Sequence, residues 1–156
     1  MSNTAAIEAR LADLGVTLSD PPSPVANYVG FVVTGNLVHV SGQISADANG
    51  PIKGKLGADL TVEQGAAAAR ACAISLLSQV KKACDGDLGR VVRLVKLGGF
   101  VNSTPDFVDQ PKVINGASDL MVAVLGDAGR HARAAVSAPS LPLGVAVEID
   151  AIFEIA

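Results

Sequence analysis

Apolar and polar positions in this chain follow two rhythms, one strand-like and one helical. The strand rhythm is clearest at the C-terminal end. Val145, Val147, Ile149, Ala151, Phe153 and Ile155 recur at every second position, with Glu148, Asp150 and Glu154 between them. A period of two sends alternate side chains to opposite faces of a strand. Residues 91–102 read as a second long strand, with Gly98-Gly99 predicting a bulge or bend in its second half. Residues 28–34 and 37–41 are β-rich runs separated by Gly35-Asn36, a pair suited to a tight hairpin. Residues 131–137 form a small, apolar strand that carries an arginine, joined to the last strand by Ser140-Leu-Pro-Leu-Gly144.

The helical rhythm appears three times. Ile7, Leu11 and Leu14 share one face of a short N-terminal helix that Gly15 terminates. Asp20-Pro-Pro-Ser-Pro24 then forms an extended linker, because each proline blocks helix and biases its predecessor. Thr61 and Gln64 are spaced as a capping box at the head of the best helix. Its stripe runs Val62, Ala66, Ala69, Ala73, Leu77, Val80, Cys84, and its alanines permit close approach to a sheet. A third helix opens at Gln110-Pro111, buries Val113, Ile114, Ala117, Leu120, Met121, Val124 and Leu125, and stops at Gly126. Residues 44–60, rich in isolated glycines, read as a loop with at most a short edge strand. The order helix, β-β, helix, β, helix, β-β predicts an α+β domain of two layers, one mixed sheet backed by two helices. Residues 1–24 form an N-terminal helix and Pro-rich linker, and residues 25–156 the domain itself.

Composition narrows the function classes. Of 156 residues, 49% are hydrophobic and 17% charged, which excludes a disordered chain and favours burial of surface by oligomerisation. With 12 basic and 15 acidic residues, and no basic run beyond Lys81-Lys82, a dedicated nucleic-acid binder is not expected. Cys72 and Cys84 lie about 18 Å apart along one helix, too far for a disulfide, and read as small core residues of a reducing compartment. Neither a signal segment nor a membrane span is evident, so a cytoplasmic location is expected. Two histidines, His39 and His131, are too few for a His-rich metal site.

Arg133 is the chemical anomaly. A guanidinium stays charged, so in a small apolar strand it reaches water, pairs with an acid, or receives an anionic ligand. Tyr28, Ser41, Asn115 and Glu148 are the other unusual polar residues, and each alone has an ordinary reading as an anchor, a turn residue, a helix-surface amide or a solvated carboxylate.

Their order changes the weighting. Tyr28-Val29 followed by Val40-Ser-Gly-Gln-Ile44, Val113-Ile-Asn115, Ala132-Arg133-Ala-Ala-Val136, Leu141-Pro142 and Val147-Glu-Ile-Asp-Ala-Ile152 together resemble the reactive intermediate deaminase (Rid, or YjgF-type) family, often labelled endoribonuclease L-PSP. The resemblance covers about residues 25 to 155. It implies a chorismate-mutase-like fold and a homotrimer with sites between subunits. It also implies hydrolysis of 2-imino acids, or their enamines, to 2-keto acids and ammonia, with no cofactor and no metal. Residue by residue, Arg133 matches the arginine that binds the substrate carboxylate. Glu148 matches the acid associated with the attacking water. Tyr28, Ser41, Gly42 and Asn115 match pocket positions.

The chain departs from the family pattern in its N-terminal helix, in residues 45–60, in Ala134 and Ala135 after the arginine, in Pro139, and in His131, where proline is frequent. His131 either is a loop histidine or points into the Arg133 cleft and tunes it. The expected function is an imine deaminase. The alternatives are a metabolite-binding or regulatory trimer without turnover and, least favoured by the acidic balance, a ribonuclease.

Overall fold

The computed structural model describes residues 3–156; Met1 and Ser2, the first residues of the N-terminal segment, lie outside the described residues. Helix α1 (Asn3–Asp13) leads into the proline-rich linker. Strands β1 (Phe31–Thr34) and β2 (Leu37–Ile44) form the hairpin expected at Gly35-Asn36, and Gly35 supplies the left-handed turn at φ 59°. A two-stranded ribbon, β3 (Ala46–Asp47) with β4 (Gly50–Pro51), interrupts the loop before helix α2 (Val62–Ala83). Strand β5 (Val91–Asn102), helix α3 (Gln110–Leu125), strand β6 (Ala132–Ala138) and strand β7 (Val147–Ile155) complete the chain.

The main sheet has the order β1-β2-β7-β5-β6. All its pairs are antiparallel except β5–β6, which α3 connects as a crossover. The sheet is therefore mixed, with α2 and α3 packed on one face, and the expected α+β architecture is present. The alternation of β7 is as expected: Val147, Ile149, Ala151, Phe153 and Ile155 are buried toward the helices, while Glu148, Asp150 and Glu154 point to the uncovered face.

Helix α2 begins at the complete Thr61–Gln64 capping box. Its buried side is broader than one stripe and takes in Gly65, Ala68, Cys72 and Leu76, because the helix is held between the sheet and α3. Cys84 falls at the C-cap, beyond the last helical turn, and both thiols are free and buried.

Three expectations are corrected. Leu14 lies beyond the end of α1 and is partly exposed; Val16 takes the buried place after Gly15 turns the chain. Tyr28 precedes β1, which starts only at Phe31. Gly98-Gly99 pair in register with both neighbours, and the β5 irregularities occur at Val91/Arg93 and Leu94/Lys96. The two glycines instead make room: a Cβ at Gly98 would strike the Asp150 carboxylate, and one at Gly99 would lie 2.7 Å from the Ile114 side chain. Helix α1 packs against the rest of the chain. Ile7 and Leu11 join the common core, Arg10 donates to the Val124 carbonyl at 3.2 Å, and Lys81 pairs with Glu8 at 3.4 Å.

Candidate functional site

Arg133 lies on β6, the edge strand of the sheet. Its register partner, Leu97, is a core residue, so Arg133 projects to the helix-covered face. There its Nη1 donates to Ser118 Oγ at 3.1 Å and its Nη2 to the Pro111 carbonyl at 3.3 Å. Both acceptors belong to α3. No carboxylate lies within ion-pair distance of this guanidinium among the described residues. Of the three fates open to the arginine, an ion pair within its own chain is therefore excluded among the described residues. The two bonds use two of five donors and leave three for another partner. Asn115 is exposed on α3 one turn from both Pro111 and Ser118, so its side chain belongs to the same helical stripe that holds the guanidinium.

The other predicted residues gather elsewhere. Ser41 on β2 donates from its hydroxyl to the Val29 carbonyl at 2.6 Å and from its backbone to the Gly30 carbonyl at 2.9 Å. Those bonds tie β2 to the segment that presents Tyr28, which is 58% exposed. Gly42 sits where the β2–β7 register slips. A Cβ there would stand 3.1 Å from the Glu148 carboxyl carbon, so the bare backbone is what lets Glu148 lie across the strand. Burial pushes the Glu148 carboxyl above its ordinary range, and the neighbouring Asp150 adds to the rise. A carboxylate so placed is a stronger base than one in water.

Within one chain, then, the six predicted residues form two groups. Tyr28, Ser41, Gly42 and Glu148 cluster along β1, β2 and β7, with Glu148 on the uncovered face. Asn115 and Arg133 lie at the β6 edge, on the helix-covered face. Sequence order alone could not reveal this, because facing direction in a sheet depends on register and bulges.

Two residues that the sequence left unassigned, or open, adjoin Arg133. His131 is half-buried, with Nδ1 2.6 Å from the Gly129 carbonyl and Nε2 2.9 Å from Ser118 Oγ. It is not a free loop histidine. Ser118 carried no signal beyond its three-residue spacing from Asn115. Farther along the same face of β6, a pocket of about 320 Å³ opens beside Ser137, lined by Lys55, Ser103, Thr104, Pro105 and Pro139. Among the described residues no group of three or more His, Cys, Asp or Glu could hold a metal ion, and no helix is long and apolar enough to cross a membrane.

A family model described as "YjgF/chorismate mutase-like, putative endoribonuclease" matches residues 8–154. Protein TCP17 of Trypanosoma cruzi is 51% identical over 151 residues, spanning 96% of this chain and 94% of that protein. The crystal structure of a protein of unknown function from Agrobacterium tumefaciens is similar at a TM-score of 0.92 and 49% identity, covering 99% of this chain and 95% of its own. RidA from an Antarctic Psychrobacter is similar at a TM-score of 0.60 and 26% identity, over 87% of this chain and 94% of its own.

Proposed function

We propose, from the premise that this chain belongs to the YjgF/chorismate mutase-like family, that it hydrolyses 2-imino acids to 2-keto acids and ammonia. The observation that carries the reading is Arg133: a half-buried cation, held in place by Ser118 and Pro111, with no acid beside it and donors to spare. A 2-imino acid carries a carboxylate next to its electrophilic carbon. Two parallel N–H···O bonds from the guanidinium would fix that carboxylate in plane and set the adjacent carbon for attack.

Glu148 is the base in this reading. It takes a proton from water as the oxygen bonds to C2 of the imine, and the C=N π pair moves to nitrogen. The carboxyl returns its proton to that nitrogen, giving a carbinolamine; the carboxylate then takes the carbinolamine's hydroxyl proton and passes it to the amine, so that C=O forms as the C–N bond breaks and ammonia and the keto acid leave. The raised carboxyl of Glu148 suits both halves of this exchange. Tyr28, Ser41, Gly42 and Asn115 line the pocket.

Because Arg133 on the edge strand β6 and Glu148 on the central strand β7 point to opposite faces of one sheet, a complete site needs two copies of the chain. A head-to-tail ring joins the β6–α3 edge of one copy to the β1–β2–β7 side of the next, and a homotrimer is the ring proposed. Apolar side chains on the uncovered sheet face, Val32, Phe100 and Val136, supply surface for such an assembly.

The test generates 2-iminopropanoate in situ with an amino-acid oxidase and follows its disappearance with and without the protein. Acceleration that Arg133→Ala abolishes supports the reading; no acceleration for any of several imino acids rejects it. Binding of a 2-keto acid without turnover would leave a metabolite-binding trimer in its place.

A further inference from the structure

His131 makes two hydrogen bonds, and together they fix its tautomer. The Gly129 carbonyl, 2.6 Å from Nδ1, can only accept, so Nδ1 carries the proton of the neutral ring. Nε2 is then an acceptor. Its partner is Ser118 Oγ at 2.9 Å, so the serine hydroxyl spends its one proton on the imidazole. Only lone pairs remain on Ser118 Oγ, and they face Arg133 Nη1 at 3.1 Å. The bonds run in one direction, from guanidinium to serine to imidazole to carbonyl.

Without His131 the hydroxyl has an alternative. A serine within a helix readily turns back to the carbonyl four residues earlier, here that of Ile114. Its lone pairs then leave the guanidinium, which keeps only the Pro111 carbonyl at 3.3 Å. A long side chain held at one point samples more rotamers than one held at two.

We propose that His131 is a positioning residue that acts through Ser118 to hold Arg133 in the orientation that receives a carboxylate. This deepens, and rests on, the reading of Arg133 as the substrate anchor. It gives the departure at position 131 a purpose: the imidazole orients the serine, and the serine orients the clamp.

The experiment measures 2-ketobutyrate binding by calorimetry on the full-length protein and its variants. Loss of binding in Arg133→Ala upholds the anchor; absent wild-type binding, or binding unchanged in Arg133→Ala, overturns the anchor reading itself. With the anchor upheld, His131→Ala and Ser118→Ala are each expected to weaken binding about five- to tenfold. The double variant should be no weaker than either single one, because both break the same chain of bonds. His131→Gln, whose side-chain oxygen can still accept from Ser118, should recover part of the loss. Wild-type affinity in both His131→Ala and Ser118→Ala, or strictly additive losses, would overturn the relay while leaving the anchor standing. Nitrogen NMR of the folded wild type supplies a readout that needs no variant to fold. A proton on His131 Nδ1 and none on Nε2 is expected, and the opposite tautomer overturns the proposal.

Discussion

At the scale of single residues, the candidate site is built as much by what is missing as by what is present. Gly42 leaves the space in which the Glu148 carboxyl lies, with only 3.1 Å to spare for a Cβ. Gly42→Ala is therefore expected to lower imine turnover at least tenfold by displacing the carboxylate, while circular dichroism shows a folded protein. Full activity would remove Glu148 from the reaction. Burial, and then Asp150, raises the Glu148 carboxyl, which fixes the sign of its pH dependence. As base it must be ionised, so kcat/KM should fall as pH drops through a value above the ordinary carboxylate range. A limb centred in the ordinary range would contradict that environment. The stability effect has the opposite sense. The folded state holds this proton more tightly than the unfolded chain, so its contribution is greatest below the unfolded value and declines as pH rises through the folded one. Glu148→Gln should consequently melt no lower than wild type at neutral pH, and a lower melting temperature would contradict the burial cost. The two thiols are also raised by burial, so a thiol-exchange reagent should titrate neither Cys72 nor Cys84 until the protein is denatured.

At the scale of elements, most of the fold was legible because local chemistry and the core demand the same thing. The capping box at Thr61, the hairpin at Gly35-Asn36 and the alternation of β7 each specify an element from neighbouring residues alone. What was not legible depends on contact across the chain. Gly98-Gly99 read as a bend, but the pair is kept flat for Asp150 and Ile114, residues far away in sequence. Gly116 is a similar case. It sits inside α3, where glycine weakens a helix, and a Cβ there would fall on the Ala66 carbonyl of α2. The close crossing of α2 and α3 depends on that gap. Gly116→Ala should gain helix propensity yet lose about 2–3 kcal/mol of stability by overpacking, as measured by chemical denaturation. A stabilised variant would show that the helices can part without cost.

At the scale of the whole molecule, the sequence named the candidate residues but could not say which of them face one another. Tyr28, Ser41, Gly42, Asn115, Arg133 and Glu148 stand in family-like order, yet β6 lies at one edge of the sheet and β1 at the other. Proximity along the chain and proximity in the assembly are different properties. The proposed ring makes this testable by mixing subunits. Arg133→Ala and Glu148→Ala should each be inactive alone. Combined by unfolding and refolding at equal amounts, random three-membered rings restore about a quarter of wild-type turnover, since every mixed ring contains one intact junction. No recovery would mean that both residues act within one subunit or that the ring does not form.

The position of β6 also bears on time. This strand has one ladder, the parallel pairing with β5, and its other edge has no strand partner among the described residues. Backbone amides on such an edge exchange with solvent sooner than those of β5 or β7, which are bonded on both sides. The arginine thus rides on an edge strand, which opens more readily than the strands inside the sheet. Whatever docks against that edge, a neighbouring subunit or an anion gripped by the guanidinium, converts a rapidly breathing strand into a slow one. Deuterium uptake across residues 132–138 would therefore serve as a clock for occupancy of the site, running slower as the edge is covered.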